Sequence, residues 1–496
     1  MPPSRGTRAA DAVDPRSSRP GRGPGWLEDD AARLQFLAKD RHGWGTLCRA
    51  ATAAHGVDMQ AEIRDRMEAM VAQRASPHLS VAALEETADR GGILVLCGPD
   101  SPVGRLLASE QVHAATDELR WLVDRFGRGN VLLGVRHHLR KGDDDIVRRT
   151  LALADAARVR AIAVNDVRYL TADDVFLADV LTCVRNQVPL GRRHLGRQTA
   201  EGWFKTAVEM QAVFAERPDL LSSAHEVATW CDVDLGLGNL HVPRLTGLSD
   251  EVAAGELHRR CWAGVSDRYD RVTPKVRERL EAELAMVDRL GLHDYFLTVG
   301  DIMAAVRAEL GILAACRGSA AGSLVCYALR ISDVDPVEHN LAFERFMNPY
   351  RDELPDIDID VESARREDVY DLVIAKYGAA RASCVAMVET FQARMAIREV
   401  GKVLGLPPDE IGHVAKSFTH ARARDVRRAA DALPELRGTN INAGQLDRLF
   451  DIVERIDGFP RHLALHPCGI LMASLELSDV TPLERSARGY PMAQFD

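Results

Sequence analysis

The sequence predicts an α/β protein of several domains, and three observations support this fold class. The chain has 496 residues, a length typical of about three or four domains. Its first half alternates short apolar runs with helical patterns, as in strand–helix–strand units. Its second half places an acidic strand among long amphipathic helices. Hydrophobic residues make up 46% of the chain and charged residues 27%, which is typical of an ordinary soluble globular protein.

Charge, cysteine usage and hydropathy limit the functional classes. The formal net charge of −10 gives no overall attraction to nucleic acid, so any such binding has to come from local basic surfaces. The nine cysteines lie scattered, without CxxC or zinc-type spacing, which predicts reduced thiols and a cytoplasmic location. No run of 18 apolar residues occurs, so we expect no membrane partner.

The first domain is expected to follow a tail and to contain βαβ units. Residues 1–26 are rich in Pro, Arg, Ser and Gly and lack an apolar signal core, which predicts a disordered tail, with an organelle transit peptide as a second possibility. A helical pattern begins at Leu27 and is broken at Gly43. A further helix is predicted between the last two of three strands. These strands lie within residues 91–98, 130–138 and 159–170.

The rest of the chain alternates helical and strand-like segments. Helical patterns dominate from 200 to 310. A glycine-rich segment with strand-like residues follows over 313–361. A helix over 364–378 ends at Gly378, and further helices with a local excess of basic residues cover 386–460.

The acidic strand carries the strongest chemical signal. In "PDIDID", Asp356, Asp358 and Asp360 alternate with isoleucine, so an extended strand places the carboxylates on one face and Ile357 and Ile359 in the core. Like charges held this close repel, so a cation is expected in front of them. Carboxylate oxygens suit Mg²⁺, and a pair of such ions supports phosphoryl transfer. The alternative is an acidic edge strand whose charges discourage aggregation.

A run of small residues precedes this strand. In "RGSAAGS", residues 317–323, the backbone can approach a ligand closely, and the amides at the start of the helix predicted next can bind phosphate. The Arg317 guanidinium suits a bidentate phosphate contact. The alternative is a tight turn with close helix packing. The loop residues predicted to bind a nucleotide are Arg317, Gly318, Ser319, Gly322 and Ser323.

Arg345 is the sixth predicted nucleotide-binding residue. Phe343 and Phe346 flank it and would anchor it in a core, from which it could reach a triphosphate. The alternative is a structural salt bridge with Glu344 or Glu353.

Four motifs in this order, "RGSAAGS", "FERFMNP", "PDIDID" and "RREDVYDLVIAKYG", resemble the bacterial DNA polymerase III alpha subunit, a C-family DNA polymerase. Later segments, "AIREVGKVLGLP" and "LALHPCGILMASLELSDVTPL", extend the resemblance. The resemblance implies a partial PHP-type β/α barrel, a palm of the nucleotidyltransferase beta-like fold and a helical thumb. The implied ranges are 27–225 for the PHP-like domain, 226–387 for the palm, 388–465 for the thumb and 466–496 for the return to the palm.

The resemblance also implies roles for the site residues. Asp356 and Asp358 match the first two catalytic, metal-binding aspartates, and Asp360 matches a third acidic position with a less direct role, so all three are predicted metal ligands. Gly318 and Ser319 match a pair that contacts the phosphates of the incoming nucleotide, while Arg317 and Arg345 match basic residues near the triphosphate. The implied reaction is template-directed DNA synthesis in replication or error-prone repair, using a two-metal Mg²⁺ site. The implied partners are dNTPs, primer–template DNA and other polymerase subunits such as a sliding clamp.

The sequence departs from the family pattern at several positions. The chain stops at "GYPMAQFD", before the family's third catalytic aspartate and fingers, and lacks the early His-x-His motif of the PHP domain. Arg168 stands where members with a metal centre have His, so we expect no PHP metal site, and His137 and His138 are interpreted as surface residues or remnants. Cys316 replaces a usual glycine. These departures keep open an alternative, a DNA-binding or assembly protein without catalysis.

Basic residues after the palm predict contact with DNA phosphates. Arg394, Arg398 and Lys402 recur at intervals of four and therefore share one helix face. A solvated helix face is the alternative, and it is weighed equally for a second basic run. That run contains Lys416, Arg422, Arg424, Arg427 and Arg428.

Overall fold

A computed structural model describes most of the chain. The predicted tail, residues 1–26, lies outside the described residues. The described ranges are 33–56, 77–192, 199–237, 243–348, 355–418, 421–431, 433, 436 and 439–495. Within them, no helix is both long enough and apolar enough to cross a membrane.

The first part of the chain forms a four-stranded sheet with the order β1-β2-β3-β4. Strands β2, β3 and β4 run parallel and β1 runs antiparallel to β2, so the predicted βαβ units are confirmed. All five residues of β2 and of β3 are buried because helices cover this parallel sheet. The strands are β1 (Gln35–Ala38), β2 (Ile93–Cys97), β3 (Val131–Val135) and β4 (Arg160–Ala163).

Eight α-helices accompany this sheet within the described ranges. Most bury one apolar stripe, as Leu119, Leu122 and Phe126 do on the fourth helix. They are α1 (Arg41–Ala54), α2 (Val81–Arg90), α3 (Pro102–Ala108), α4 (Val112–Phe126), α5 (Asp143–Ala157), α6 (Val175–Asn186), α7 (Ala207–Val213) and α8 (Pro218–Ala228).

The helical pattern predicted from Leu27 is wrong in two respects. The chain forms strand β1 before α1, and α1 continues through Gly43 without a break. Gly43 serves close packing instead, because a Cβ there would lie 1.9 Å from the carbonyl oxygen of Gly92. The segment "LQFL" pairs with β2 as an edge strand, and Phe36 contacts Phe126 on α4. Periodicity in so short a run does not separate a strand from a helix.

The middle of the chain is helical, as predicted, and builds the largest apolar core. The long helices in it pack around the short α12, and Phe296 and Phe346 are completely buried between them. The elements are α9 (Asp250–Arg268), α10 (Pro274–Leu290), α11 (His293–Leu310) and α12 (Leu324–Ala328).

Two short strands cross the surface of this core. Strands β5 (Ala314–Arg317) and β6 (Asp358–Val361) pair antiparallel, and a 3₁₀ turn over Gly318–Gly322 leads from β5 to α12. Helix α13 (Arg366–Tyr377) follows and ends at Gly378 as predicted, with that glycine at φ +86°.

A second four-stranded sheet, in the order β8-β7-β10-β9, continues towards a helical unit. The predicted palm–thumb boundaries fall inside β7 and β8, which form one continuous ribbon. Helix α6 also packs into the helical unit, with Leu177 and Val180 in its core. The elements are β7 (Ala382–Thr390), α14 (Ala393–Val403), α15 (Pro408–Ser417), α16 (Val426–Asp431), α17 (Ala443–Arg455), β8 (Pro460–Met472), β9 (Leu483–Arg485) and β10 (Pro491–Ala493).

The last segment of the chain packs against the first sheet. Arg49 on α1 donates to both carboxylate oxygens of Asp479, at 2.5 and 2.7 Å, and Arg90 donates to the same carboxylate at 3.0 Å. The backbone amide of Leu483 donates to the hydroxyl of the buried Thr52. The two ends of the described chain are therefore joined by specific contacts.

The crossing of α9 and α12 depends on a glycine. An alanine at Gly264 would place its Cβ 2.0 Å from the carbonyl oxygen of Ala328, whereas an alanine at Gly255 on the same helix would meet open space. We expect Gly264→Ala to lower the free energy of unfolding by about 1–3 kcal/mol through overpacking. Gly255→Ala should raise it by about 0.5–1 kcal/mol because alanine favours helix. Denaturant unfolding of both variants measures this, and equal effects would contradict the close crossing.

Candidate active site

The acidic stretch has the predicted alternation. Asp356, Asp358 and Asp360 are all exposed, while Ile357 and Ile359 pack against the central core. Strand β6 begins only at Asp358, so Asp356 lies just before the ladder. The backbone just before Asp356 is anchored to α11, because the hydroxyl of Tyr295 donates to the carbonyl oxygen of Pro355 at 2.8 Å.

The expected cation in front of these carboxylates is Arg317. It stands opposite Asp358 in the β5–β6 register. Its guanidinium lies 3.1 Å from Asp358 and 3.1 Å from Asp360, with Nη1 and Nε as the two nitrogens. The Arg317 side chain is 61% exposed, so water screens this bridge, which is worth at most about 1 kcal/mol. Its main effect is to hold two like charges on one face.

Glycine is required directly after Arg317. Gly318 has φ +74°, in the left-handed region, and a Cβ there would lie 3.6 Å from Oδ2 of Asp358. Ser319 follows in the 3₁₀ turn, and both residues are exposed. The structure therefore brings Arg317, Gly318 and Ser319 together beside the acidic face.

Gly322 and Ser323 have a different position from the one predicted. Both are buried. A Cβ at Gly322 would lie 2.9 Å from the carbonyl oxygen of Ala342, which is the close packing that the alternative interpretation described. Ser323 caps α12 by accepting from the amide of Cys326 at 3.2 Å. Their burial favours the structural alternative, and their contact with a nucleotide stays a prediction.

The amide end of α12 is filled by a side chain that the sequence analysis missed. Oε2 of the fully buried Glu283 accepts from the Ser323 hydroxyl at 3.0 Å and from the amide of Val325 at 3.1 Å. Arg279 donates to the other oxygen at 2.6 Å. A glutamate at a core position of an amphipathic helix, four residues after an arginine, was the available signal.

Arg345 is exposed on a short 3₁₀ turn, Phe343–Arg345. The flanking rings of Phe343 and Phe346 are buried and contact each other edge to face, 6.4 Å between centroids, as the sequence predicts. Glu344, one of the two alternative partners, is exposed beside Arg345, and Glu353 lies outside the described residues.

Cys316 fits its strand without backbone strain. It lies in β5 with its side chain in the central core, opposite Ile359. Burial, together with the charges of Asp358 and Asp360, raises the pKa of its thiol to about 11. The thiol is therefore protonated and acts as a small apolar group in the core.

The donor set suits a hard divalent cation, and Arg317 pairs with two of its three carboxylates, Asp358 and Asp360. Three exposed carboxylates on one face offer the oxygen ligands that Mg²⁺ prefers. Among the described residues, however, no group of three or more His, Cys, Asp or Glu side chains is arranged to hold a metal ion. Residues on one side of a strand are separated by about 6.6 Å along it, so a single strand supplies an incomplete ligand set.

The carboxyl edge of the first sheet holds ion pairs. The carboxylate of Asp166 forms ion pairs with the guanidinium groups of Arg136, at 3.0 Å, and Arg168, at 2.8 Å. The Arg168 guanidinium also lies 3.5 Å from the carboxylate of Asp100. These contacts pair the carboxylates of Asp100 and Asp166 with arginine. His137 contacts the carboxylate of Asp144 at 2.9 Å.

His138 is a structural residue of this edge. It is 4% exposed, its Nε2 lies 2.8 Å from the carbonyl oxygen of Asn165, and its Nδ1 lies 2.8 Å from the Thr199 hydroxyl. Burial is the largest cause that lowers the pKa of its imidazole, and the charges of Arg136 and Lys205 act in the same direction. A neutral ring fits both contacts.

The predicted basic face lies on α14. Arg394 and Lys402 are exposed and Arg398 is half-buried, on the polar side of a helix whose other side is buried. The second basic run differs, because three of its members pair internally. Arg427 bridges Asp447 and Glu454, Arg428 contacts Asp425, and Arg424 contacts Asp457.

The fold and the site together define a mixed α/β protein whose acidic strand lies beside a small-residue turn. Residues 255–496 match the family described as the bacterial DNA polymerase III alpha NTPase domain. This half of the chain belongs to the bacterial DNA polymerase III alpha family, which confirms the resemblance that the motifs indicate.

Three relatives show the extent of the similarity. The chain is 33% identical over 475 residues to an error-prone DNA polymerase of Symbiobacterium thermophilum, covering 93% of this chain and 43% of that protein. It is 36% identical over 374 residues to an error-prone DNA polymerase of Pseudomonas paraeruginosa, covering 75% and 36%. It is 32% identical over 359 residues to the DNA polymerase III subunit alpha of Bacillus subtilis, covering 72% and 32%. The chain thus spans less than half the length of these relatives.

The lowered pKa of His138 predicts a pH-dependent stability. The imidazole has an ordinary pKa of 6.5 in the unfolded chain and a lower pKa in the folded protein. As pH falls below about 6.5, the unfolded chain therefore binds a proton more readily than the folded protein, and the free energy of unfolding decreases. His138→Gln keeps a donor and an acceptor without titrating. We expect the variant to lose less unfolding free energy than the wild type between pH 7 and pH 5. Parallel pH profiles would contradict a neutral buried imidazole.

Proposed function

We propose that this chain carries the catalytic core of a DNA-directed DNA polymerase of the polymerase III alpha type. The reaction is attack of a primer 3′-hydroxyl on the α-phosphate of a dNTP, with release of pyrophosphate. The observation that carries the proposal is the exposed aspartate face of β6, held directly beside the Gly318–Ser319 turn within the segment that matches the family. The alternative, an acidic edge strand that discourages aggregation, explains the three aspartates. It does not explain why the exposed turn at Gly318, with φ +74°, lies beside them.

Magnesium ions are the proposed cofactor, with Asp356 and Asp358 as the ligands and Asp360 as an outer acidic group. When bound, they would make the primer hydroxyl a better nucleophile and neutralise the triphosphate. Arg317 balances the negative charge of this face, and the ions would take over that task from it. The hard oxygen donors and their exposure support this assignment.

The triphosphate is assigned to the surface between the turn and Arg345. Gly318 and Ser319 are exposed on the turn after β5, and Arg345 is exposed on a 3₁₀ turn beside the buried Phe343. Arg317 could transfer one or both of its bonds from carboxylate to phosphate, because its fork suits either anion. Preorganised donors of this kind stabilise charge that develops in the transition state.

The domain assignment that we propose follows the predicted ranges. Residues 27–225 would be a partial PHP-like β/α domain, 226–387 the palm, 388–465 the thumb and 466–496 the return to the palm. The parallel β2-β3-β4 sheet, the acidic two-stranded sheet and the helical unit around α14 support this order. The paired strands β7 and β8 cross both proposed palm–thumb boundaries, so the chain has no linker between these two domains at either point.

Replication or error-prone repair synthesis in the cytoplasm is the proposed setting. The names of the relatives include both error-prone DNA polymerase and DNA polymerase III subunit alpha, and the latter supports additional subunits such as a sliding clamp. Primer–template DNA and dNTPs are the proposed substrates.

A second candidate is a DNA-binding or assembly protein without catalysis. It is favoured by one observation, that the described residues hold carboxylates on one strand only and no group of three metal ligands. The two candidates differ in primer extension and agree in DNA binding, so the same experiment separates them.

Primer extension with Mg²⁺ tests the catalytic proposal. We expect the wild-type chain to add dNTPs and Asp358→Asn to lose at least about 100-fold in rate, because the variant removes a metal-binding charge. Asp425→Asn, which removes an aspartate that pairs at the surface of the helical unit, is the control and should retain activity. Tight primer–template binding without any extension by the wild type would support the second candidate instead.

Salt dependence of DNA binding tests the basic face of α14. Each phosphate contact contributes about 0.9 to the slope of log affinity against log salt. Arg394→Gln and Lys402→Gln should each lower that slope by about 0.9. Arg427→Gln is the control, because Arg427 is engaged by Asp447 and Glu454, and should leave the slope unchanged. An unchanged slope in the α14 variants would assign this face to solvent.

A further inference from the structure

A buried ion pair lies directly beneath the proposed triphosphate surface. Glu283 on α10 is completely buried, and Arg279, one turn earlier, is 26% exposed. Nε of Arg279 donates to Oε1 of Glu283 at 2.6 Å. The pair lies between α10 and the two loops that carry the exposed candidate residues.

Glu283 holds the first of these loops. Its Oε2 accepts from the Ser323 hydroxyl and from the Val325 amide, so the carboxylate occupies the position at the start of α12 where a phosphate was expected. This fixes the end of the turn that begins at Gly318.

Arg279 holds the second loop to the first. Its Nη2 donates to the carbonyl oxygen of Gly322 at 2.9 Å and to that of Leu341 at 3.1 Å. Its guanidinium also lies 5.6 Å from the centre of the Phe343 ring, two residues before Arg345. One side chain therefore bonds both the end of the small-residue turn and the start of the Arg345 segment.

Stability alone gives no reason for such a pair. Moving two charges out of water costs free energy that their attraction often fails to recover, and apolar residues of similar size frequently serve as well. Consistent with this, burial raises the pKa of the Glu283 carboxyl although Arg279 and backbone amides oppose the change. The directional bonds of a carboxylate and a guanidinium fork supply what apolar packing lacks, a fixed geometry.

We propose that Glu283 and Arg279 are positioning residues that set the spacing between the Gly318–Ser319 turn and Arg345, so that both reach one triphosphate. The proposal deepens the proposed function and rests on it for the identity of the ligand. Neither residue touches the nucleotide. Both act through the two loops that they join.

The variants are Arg279→Lys, Arg279→Met and Glu283→Gln. Arg279→Lys keeps the charge beside Glu283 but lacks the planar fork, so it cannot bond Glu283 and both carbonyl oxygens in the same way. The matched controls are Arg277→Met and Glu281→Gln, which alter an exposed pair of the same spacing on the same helix, 4.0 Å apart.

The first measurement is hydrogen exchange of the full chain without ligand. We expect Arg279→Lys and Arg279→Met to raise exchange about 10-fold or more in both loops, 317–326 and 339–348, with α11 and α14 unchanged. The controls should match the wild type. Exchange that rises in one loop only, or equally throughout the chain, would overturn the positioning role.

The second measurement is primer extension at varied dNTP concentration. A misplaced triphosphate surface should raise KM for dNTP about 10-fold or more in Arg279→Lys, with primer–template affinity unchanged. Unaltered KM in a variant whose loops exchange faster would overturn the link to the nucleotide. If the wild-type chain binds no dNTP, the proposed function fails, while the exchange data still decide whether the pair joins the two loops.

Discussion

The crowding of like charges on β6 is the constraint that organises this site. Three aspartates alternate along one extended segment, and their mutual repulsion has to be balanced for the strand to lie flat on the core. Arg317, opposite Asp358 on β5, provides that balance with one guanidinium shared between two carboxylates. Because Arg317 ends β5, the chain then turns through Gly318, whose φ of +74° lies in the left-handed region that favours glycine.

Beneath this surface, the protein uses charge a second time for a different purpose. In the Arg279–Glu283 pair the carboxylate is fully buried and the guanidinium half-buried, whereas the Arg317 bridges are exposed. The exposed bridges can exchange partners at little cost because water screens them. The buried pair is expensive to disrupt and therefore rigid. A site that binds and releases charged ligands benefits from rigid support below and from surface ion pairs that can change partners. Arg279 contributes to the rigid support, and Arg317 forms the surface ion pairs.

Much of the local structure could be predicted from the sequence. Period-two alternation fixed the faces of β6, the apolar runs at β2 and β3 indicated buried parallel strands, and Gly378 marked the end of α13. Short-range patterns failed where distant residues decide the outcome. Gly43 looked like a helix breaker because its contact, Gly92, lies far along the chain. Ser323 looked like a phosphate ligand because Glu283, forty residues earlier, fills the helix end. Helix α6 packs beside α14 rather than beside the helices next to it in sequence, and tertiary contacts likewise determine this position.

The central claim is that the aspartate face of β6 and the turn after β5 form one metal and nucleotide site. A crystal structure of the chain with Mn²⁺ and a non-hydrolysable dNTP tests this most directly, because anomalous scattering locates the metal. The account predicts a metal peak at the carboxylates of Asp356 and Asp358, phosphate density at Gly318 and Ser319, and Arg317 released from at least one aspartate. Metal and nucleotide bound elsewhere, with Arg317 still bridging Asp358 and Asp360, would contradict it.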